Sequence, residues 1–422
     1  MLTKIKDFLS DIKDPVQQEH YTRLIATLLE KGYFPGLAGV PVARSGISHI
    51  DGKKGILTYR GYPVQELAEH CSYEDICFLL LNGDLPLPDE RDEIREDLLK
   101  HKRISNKIGQ VIAAMDKDLH PMYMLSASVL LLQSKDQACF NVDYYNQNLQ
   151  RAIRLIAKFP TILGIFKTKD PDFGRDKNFV AYSQYCLYAF NPELADEKKW
   201  VDIFQQILVL HADHTMNNST FSVRAVGSSK ASIYASISSA INSLSGPLHG
   251  GANERVIRML EEIGSPERVE EFVDNKLESK EKIMGIGHRV YRTYDPRSLI
   301  LKEKILPQIF NNGNGAVVDE DLRKLYEIAC RVEEVVLDRL SGKRIYPNVD
   351  FWSGLVLKAM GIDPSFFTTV FALGRIMGWT SHWVEHMEVK SRIFRPYQLY
   401  DGFNDRHIIL DPDDEIINKL GK

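Results

Sequence analysis

The residues able to do chemistry in this chain are a few histidines, one aspartate and a set of arginines. His211 and His214 stand three apart near the end of a helical pattern, which would put both on one face. Asn217, Asn218, Ser219 and Thr220 follow as a polar helix terminus. His249 sits in SGPLHGGAN, residues 245–253, where glycines and a proline hold backbone tightly around one ionisable group. His288 sits in GIGHR, residues 285–289, where glycine lets main chain approach a ligand closely. Just beyond, the DPR run at 295–297 places Arg297 in the first turn of a helix. Asp350 lies in YPNVDF, residues 346–351, between large apolar neighbours; desolvation there raises a carboxyl pKa and makes a usable base.

Each of these has a structural alternative. A histidine near glycines is more often a hydrogen-bonded structural residue, and an aspartate before an apolar run is usually a helix cap. A competing signal is HWVEH, residues 382–386, in which His382 and His386 lie one helical turn apart with Glu385 between them. It matches the inverted zinc-peptidase pattern H-x-x-E-H, with two histidines as ligands and the acid as base. No obvious third ligand follows it.

Helices must position these groups. Leu322, Leu325, Ile328, Val332, Val335 and Val336 recur at spacings of three and four, as do Ile233, Ile237, Ile241 and Leu244 in a stretch rich in Ala and Ser. Ser72 with Asp75 reads as a helix start and Asn82-Gly83 as its stop; Asp295-Pro296 reads as an N-cap followed by proline. The one hairpin signal is 47–50, a turn at Asp51-Gly52, and 56–59. Loops are expected at 170–178, 191–199 and 311–319, and an amphipathic surface helix at residues 1–10. The expected fold is mostly α, with a minor β-hairpin near the N-terminus.

Composition bounds the rest. The 422 residues are 44% hydrophobic and 26% charged, with 53 basic against 57 acidic side chains. That balance argues against general nucleic-acid binding and against disorder. Apolar runs are far too short for a membrane span. Five cysteines without metal-type spacing read as free thiols in a reducing, cytoplasmic compartment.

The order HADH (211–214), GPLHGGAN (246–253), GIGHRVYRTYDPR (285–297), YPNVDFWSG (346–354) and an Arg-rich C-terminal stretch resembles the citrate synthase family. GLAGV (36–40) and GILTYRGY (55–62) extend the likeness over nearly the whole chain. The resemblance implies a helical homodimer whose subunits have a large domain, 1–249 with 361–422, and a small helical domain, 250–360. It implies Claisen-type condensation of acetyl-CoA with oxaloacetate, then thioester hydrolysis to citrate and CoA, with no metal or cofactor. By the same resemblance Asp350 is the base, His249 hydrogen-bonds the thioester oxygen, and His288 polarises the oxaloacetate carbonyl and protonates the new alkoxide. His214, Arg297 and Arg375 bind oxaloacetate, with Arg395 reaching in from the partner subunit. Arg292, with Arg289 and Lys282, falls where the family contacts the CoA phosphates. The resemblance also implies domain closure about hinges at 245–251 and 359–363. Because the sequence departs from the larger NADH-regulated members in lacking their N-terminal β-rich region, no NADH control is expected. 2-Methylcitrate synthase, using propionyl-CoA, shares the catalytic set, because one methylene is worth only about 1–3 kcal/mol. A catalytically silent helical scaffold is the remaining alternative.

Overall fold

Helical periodicity accounts for most of the architecture. The computed structural model describes residues 9–13, 15–310, 318–389, 392–403 and 406. It separates into two compact units, one formed by 1–44 with 394–422 and the other by 45–393. In the first, α1 (Pro15–Lys31) is followed by a short 3-10 turn at Pro35–Leu37, and His20 Nε2 lies 3.0 Å from the Gly39 carbonyl oxygen. The expected helix at 1–10 lies almost wholly outside the described residues, as does most of the expected loop at 311–319.

The second unit opens with a three-stranded antiparallel sheet, β1 (Ser48–Asp51), β2 (Ile56–Tyr59) and β3 (Tyr62–Pro63). The hairpin is as expected, but its turn is longer than the Asp51-Gly52 pair. Asp51 is still paired, with Ile56, so residues 52–55 make the connection. The Asp51 carboxylate accepts from the Lys53 and Lys54 amides, both at 3.0 Å, and so caps the turn.

The helices that frame the site are α2 (Tyr73–Asn82), α3 (Pro121–Leu132), α4 (Tyr145–Thr168), α5 (Lys198–His211), α6 (Asn218–Gly227) and α7 (Ile233–Leu244). They continue with α8 (Ala252–Ile263), α9 (Val269–Glu278), α10 (Pro296–Ile300), α11 (Glu320–Arg339), α12 (Val349–Ala359) and α13 (Phe367–Glu388). The Ser72/Asp75 signal is a capping box on α2, closed by Gly83 at φ 103°. The apolar stripes read from the sequence on α7 and α11 are all buried. The break at 191–199 is shorter than expected, because α5 already begins at Lys198.

Helix α13 runs through the middle, packed by α2, α4, α5, α6 and α7, with Trp379 and Trp383 fully buried. Such all-round burial demands close backbone approach somewhere, and Gly378 provides it. A Cβ there would stand 2.5 Å from the Ala212 carbonyl oxygen, to which the Gly378 amide donates at 3.0 Å. A second group of helices, α8, α9, α11 and α12, packs largely on itself, with α10 against α12.

Candidate active site

The close approach at Gly378 fixes the end of α5 against α13. His211 is the last residue of α5, so His214 lies beyond the helix and the two do not share a helical face. His211 Nδ1–H turns back to the Ile207 carbonyl at 2.7 Å, and its ring meets Phe371 edge-on at 4.7 Å. The chain then leaves the helix, with Thr215 at φ 50°. Tyr59 of β2 stabilises this exit: its hydroxyl lies 3.1 Å from both the Val209 and Asp213 carbonyl oxygens. Burial drives the His214 pKa far below its ordinary value, and Arg297, His288 and Arg375 push the same way, so the ring is neutral.

His249 is held from the start of α6. Asn217 caps that helix by accepting from the Thr220 amide at 3.1 Å, which leaves the Ser219 amide free to donate to His249 Nε2 at 3.2 Å. An amide only donates, so Nε2 must present its lone pair and the ring proton sits on Nδ1. The Ser219 hydroxyl lies 2.8 Å from the same nitrogen and accepts from Trp379 Nε1–H at 3.1 Å. Burial, with Arg375 nearby, brings the His249 pKa down to about 4. His249 is therefore a neutral donor with a fixed tautomer.

The loop carrying His288 shows the same device in mirror form. Here Nδ1 accepts the Val290 and Tyr291 amides at 3.0 and 3.1 Å, so Nε2 bears the proton. Burial lowers this pKa to about 4 as well, against the opposing charge of Asp295. The ring centroid lies 5.3 Å from that of His214. The loop is seated on the hairpin turn. The Arg292 amide donates to the Gly52 carbonyl at 2.8 Å, and a Cβ at Gly52 would stand 2.3 Å from the Val290 carbonyl oxygen. Asp295 caps α10 and pairs with the residue two places on. Arg297 Nε and Nη2 reach its two carboxylate oxygens at 3.0 and 2.7 Å. Burial alone would lower the Arg297 pKa, but Asp295 more than offsets it and the guanidinium stays charged.

Asp350 is not the cap of α12; Asn348 is, accepting from the Asp350 amide at 2.9 Å. This frees the Asp350 carboxyl, whose Oδ1 is buried without a hydrogen-bond partner. Burial raises its pKa to about 7, with Arg297 and Arg375 opposing the rise and Asp295 adding to it. Arg375, on α13, is 1% exposed and donates from Nε to the His211 carbonyl at 2.6 Å. Its Nη2 has no partner, and it makes no ion pair among the described residues. Burial lowers its pKa to about 10, leaving it cationic at neutral pH. Thus His214, His249, His288, Arg297, Asp350 and Arg375 come together as two cations, three neutral histidines and one poised acid.

The HWVEH motif is used differently from the zinc reading. Arg224 of α6 donates to His382 Nδ1, from Nε at 3.1 Å and Nη2 at 2.8 Å, and pairs with Glu385. His382 Nε2 faces Asp213 at 3.4 Å. A guanidinium occupies the lone pair a metal would need, and no group of three metal-ligating side chains occurs among the described residues. Arg289, Arg292 and Lys282 are exposed in the second unit, whereas Arg395 is exposed in the first.

Several functional partners escaped the sequence reading. Ser219 was seen only as part of a polar terminus, and Asp295 only as a cap. The signal for Asp295 was present, since an aspartate two residues before an arginine can both cap and neutralise it. Nothing local marked Trp379 or Asp213.

Comparison with known proteins adds independent findings. The family model described as "Citrate synthase, C-terminal domain" matches residues 36–397. A curated citrate synthase of Synechocystis is 41% identical over 373 residues, covering 87% of this chain and 90% of its own. One from Acidithiobacillus ferridurans is 38% identical over 405 residues, covering 90% and 98%. Among solved structures, the citrate synthase of Thermoplasma acidophilum, in ternary complex with carboxymethyl coenzyme A and oxaloacetate, superposes with a TM-score of 0.80. It is 30% identical and covers 89% of this chain and 97% of its own.

Proposed function

The chain belongs to the citrate synthase family, and from that premise we propose how its own residues catalyse condensation of acetyl-CoA with oxaloacetate and hydrolysis to citrate and CoA. The observation that carries the assignment is the carboxyl of Asp350: buried, unpartnered at Oδ1 and with its pKa brought up to about 7. A thioester methyl is a very weak acid, so its removal needs a base near neutrality and a donor for the developing enolate oxygen. Asp350 takes the proton, and His249 Nδ1–H donates to the thioester oxygen. The new carbon–carbon bond forms at the oxaloacetate ketone, whose oxygen accepts from His288 Nε2–H as charge builds there. Both histidines are neutral donors at pH 7, so neither must lose a competing charge first. Water then cleaves the thioester and releases the CoA thiol.

Oxaloacetate brings two carboxylates. Arg375, with its Nη2 unpartnered, and the Asp295-oriented Arg297 suit them, with His214 completing the pocket. Arg292, Arg289 and Lys282 are exposed and suit the CoA phosphates.

Assembly as a homodimer, with Arg395 supplied across the interface, is supported by an apolar stripe left open on α3, where Tyr123 and Leu130 are about half exposed. Residues 250–360 act as the small domain, closing about 245–251 and 359–363; the mutual packing of α8, α9, α11 and α12 supports that division. Five free thiols support a reducing, cytoplasmic setting, and no helix among the described residues is long and apolar enough to cross a membrane.

The deciding experiment is release of free CoA thiol from acetyl-CoA and from propionyl-CoA, with and without oxaloacetate. Oxaloacetate-dependent release favouring acetyl-CoA is expected. Preference for propionyl-CoA would make the enzyme a 2-methylcitrate synthase, and no release from either donor would leave the scaffold reading. For the dimer, mixing Arg395→Ala with Arg375→Ala subunits should restore one working site per heterodimer. Verified heterodimers without activity would refute a shared site.

A further inference from the structure

Around the cleft, His214 Nε2, Arg375 Nη2, Asp350 Oδ1 and the Tyr291 hydroxyl are buried without a hydrogen-bond partner. The first three belong to residues with a part in the reaction proposed above. Tyr291 has none, yet it is 2% exposed and packs against two histidines of the site. Its ring packs against His288 at 4.7 Å and against His214 at 5.7 Å, and its amide helps fix the His288 tautomer.

A phenyl ring would fill the same space without burying an oxygen. A buried hydroxyl left unpaired costs the free protein stability, so packing alone does not account for this one. A water could satisfy it only where two or more further polar groups converge. Besides burial, the groups that act electrostatically on the hydroxyl are Arg297, Asp295 and Tyr59. Asp295 is already committed to Arg297 through both oxygens. Burial keeps the phenol protonated, so it is a neutral donor within the electrostatic reach of the Arg297 guanidinium. Such a pair suits a carboxylate, which can accept from both at once.

We propose that Tyr291 is a further oxaloacetate-binding residue, its hydroxyl donating to the substrate carboxylate held by Arg297. The inference rests on the oxaloacetate reading above. Tyr291→Phe removes one oxygen and leaves the ring contacts with both histidines. Calorimetric titration with oxaloacetate alone should show affinity weakened roughly 10- to 100-fold, the loss expected for one hydrogen bond to a charged acceptor. KM for oxaloacetate should rise in parallel, with kcat and KM for acetyl-CoA changing much less. The urea midpoint of the free variant should equal or exceed that of the parent. Unchanged oxaloacetate affinity would overturn the proposal, as would a lowered urea midpoint, which would reveal an internal partner for the hydroxyl. The two levels separate cleanly: a parent protein that fails to bind oxaloacetate sinks the underlying reading, whereas a parent that binds beside an equally tight Tyr291→Phe sinks this inference alone.

Discussion

Two regions of the second unit bury arginine, and they treat the charge in opposite ways. Against the C-terminal end of α13, Arg224 of α6 is 2% exposed and is answered within the fold by His382 and Glu385 of α13. Earlier on the same helix, Arg375 is as deeply buried but meets one carbonyl and the face of the Phe371 ring, and its Nη2 has no hydrogen-bond partner. Burying an ion is expensive, and the cost is tolerable where opposite charge and hydrogen bonds meet it. The first region is complete in the free protein. The second becomes complete when an anion arrives, which is the mark of a binding site.

The comparison can be broken from either side. The largest effect is expected at the unpaired acid. Asp350→Ala should lower the rate of CoA thiol release about 10²- to 10⁴-fold, while calorimetry still records oxaloacetate binding. Near-normal turnover would remove the proposed base. Next comes the closed network: Arg224→Leu strands Glu385 and should cost about 3–5 kcal/mol in urea unfolding. The matching change in the open region, Arg375→Leu, should abolish oxaloacetate binding and move the unfolding free energy by only about 1 kcal/mol. If the two substitutions destabilised equally, the distinction between closed and open charge would not hold.

The pH dependence is a subtler test. Asp350 must be ionised to act, so kcat/KM should rise with pH through a midpoint near 7. His249 and His288 are already neutral above about 4, so neither adds a second rising limb in that range. Linkage has the opposite sign. A carboxyl whose folded pKa is raised resists ionising when folded, so its penalty builds as pH climbs from the ordinary carboxyl range toward 7 and is complete above it. Asp350→Asn should therefore raise the melting temperature at pH 8 and leave it nearly unchanged at pH 4. On catalysis, the smallest effect belongs to the hairpin seat. Gly52→Ala forces a Cβ against the Val290 carbonyl and should cost about 1–3 kcal/mol, with some loss of kcat as the His288 loop shifts.

The legible parts of this molecule are those whose cause is local. Apolar spacing announced α7 and α11, a serine and an aspartate announced the start of α2, and runs of glycine and histidine flagged His249 and His288. What stayed hidden depends on residues far apart in the chain. Arg224 meets His382 across 158 positions, so HWVEH looked like a metal motif when its partner was a guanidinium. His211 and His214 looked like neighbours on a helix because nothing nearby revealed that Tyr59 receives the chain as it leaves α5. The spacing of side chains is visible in a sequence; the donor that fixes a tautomer is not.

The small sheet at 48–63 touches both halves of this chemistry. Ser48 bonds Asp213 and the Thr215 amide on either side of His214, while Gly52 at the other end of β1 receives the loop of His288. Surface turns ordinarily accept inserted residues with little consequence. This one should not. A single residue added between Ser48 and Gly52, at the entry to this turn, would shift one seat against the other and with it two histidines that lie more than 150 positions further along, so this short strand is where length variation is least tolerated.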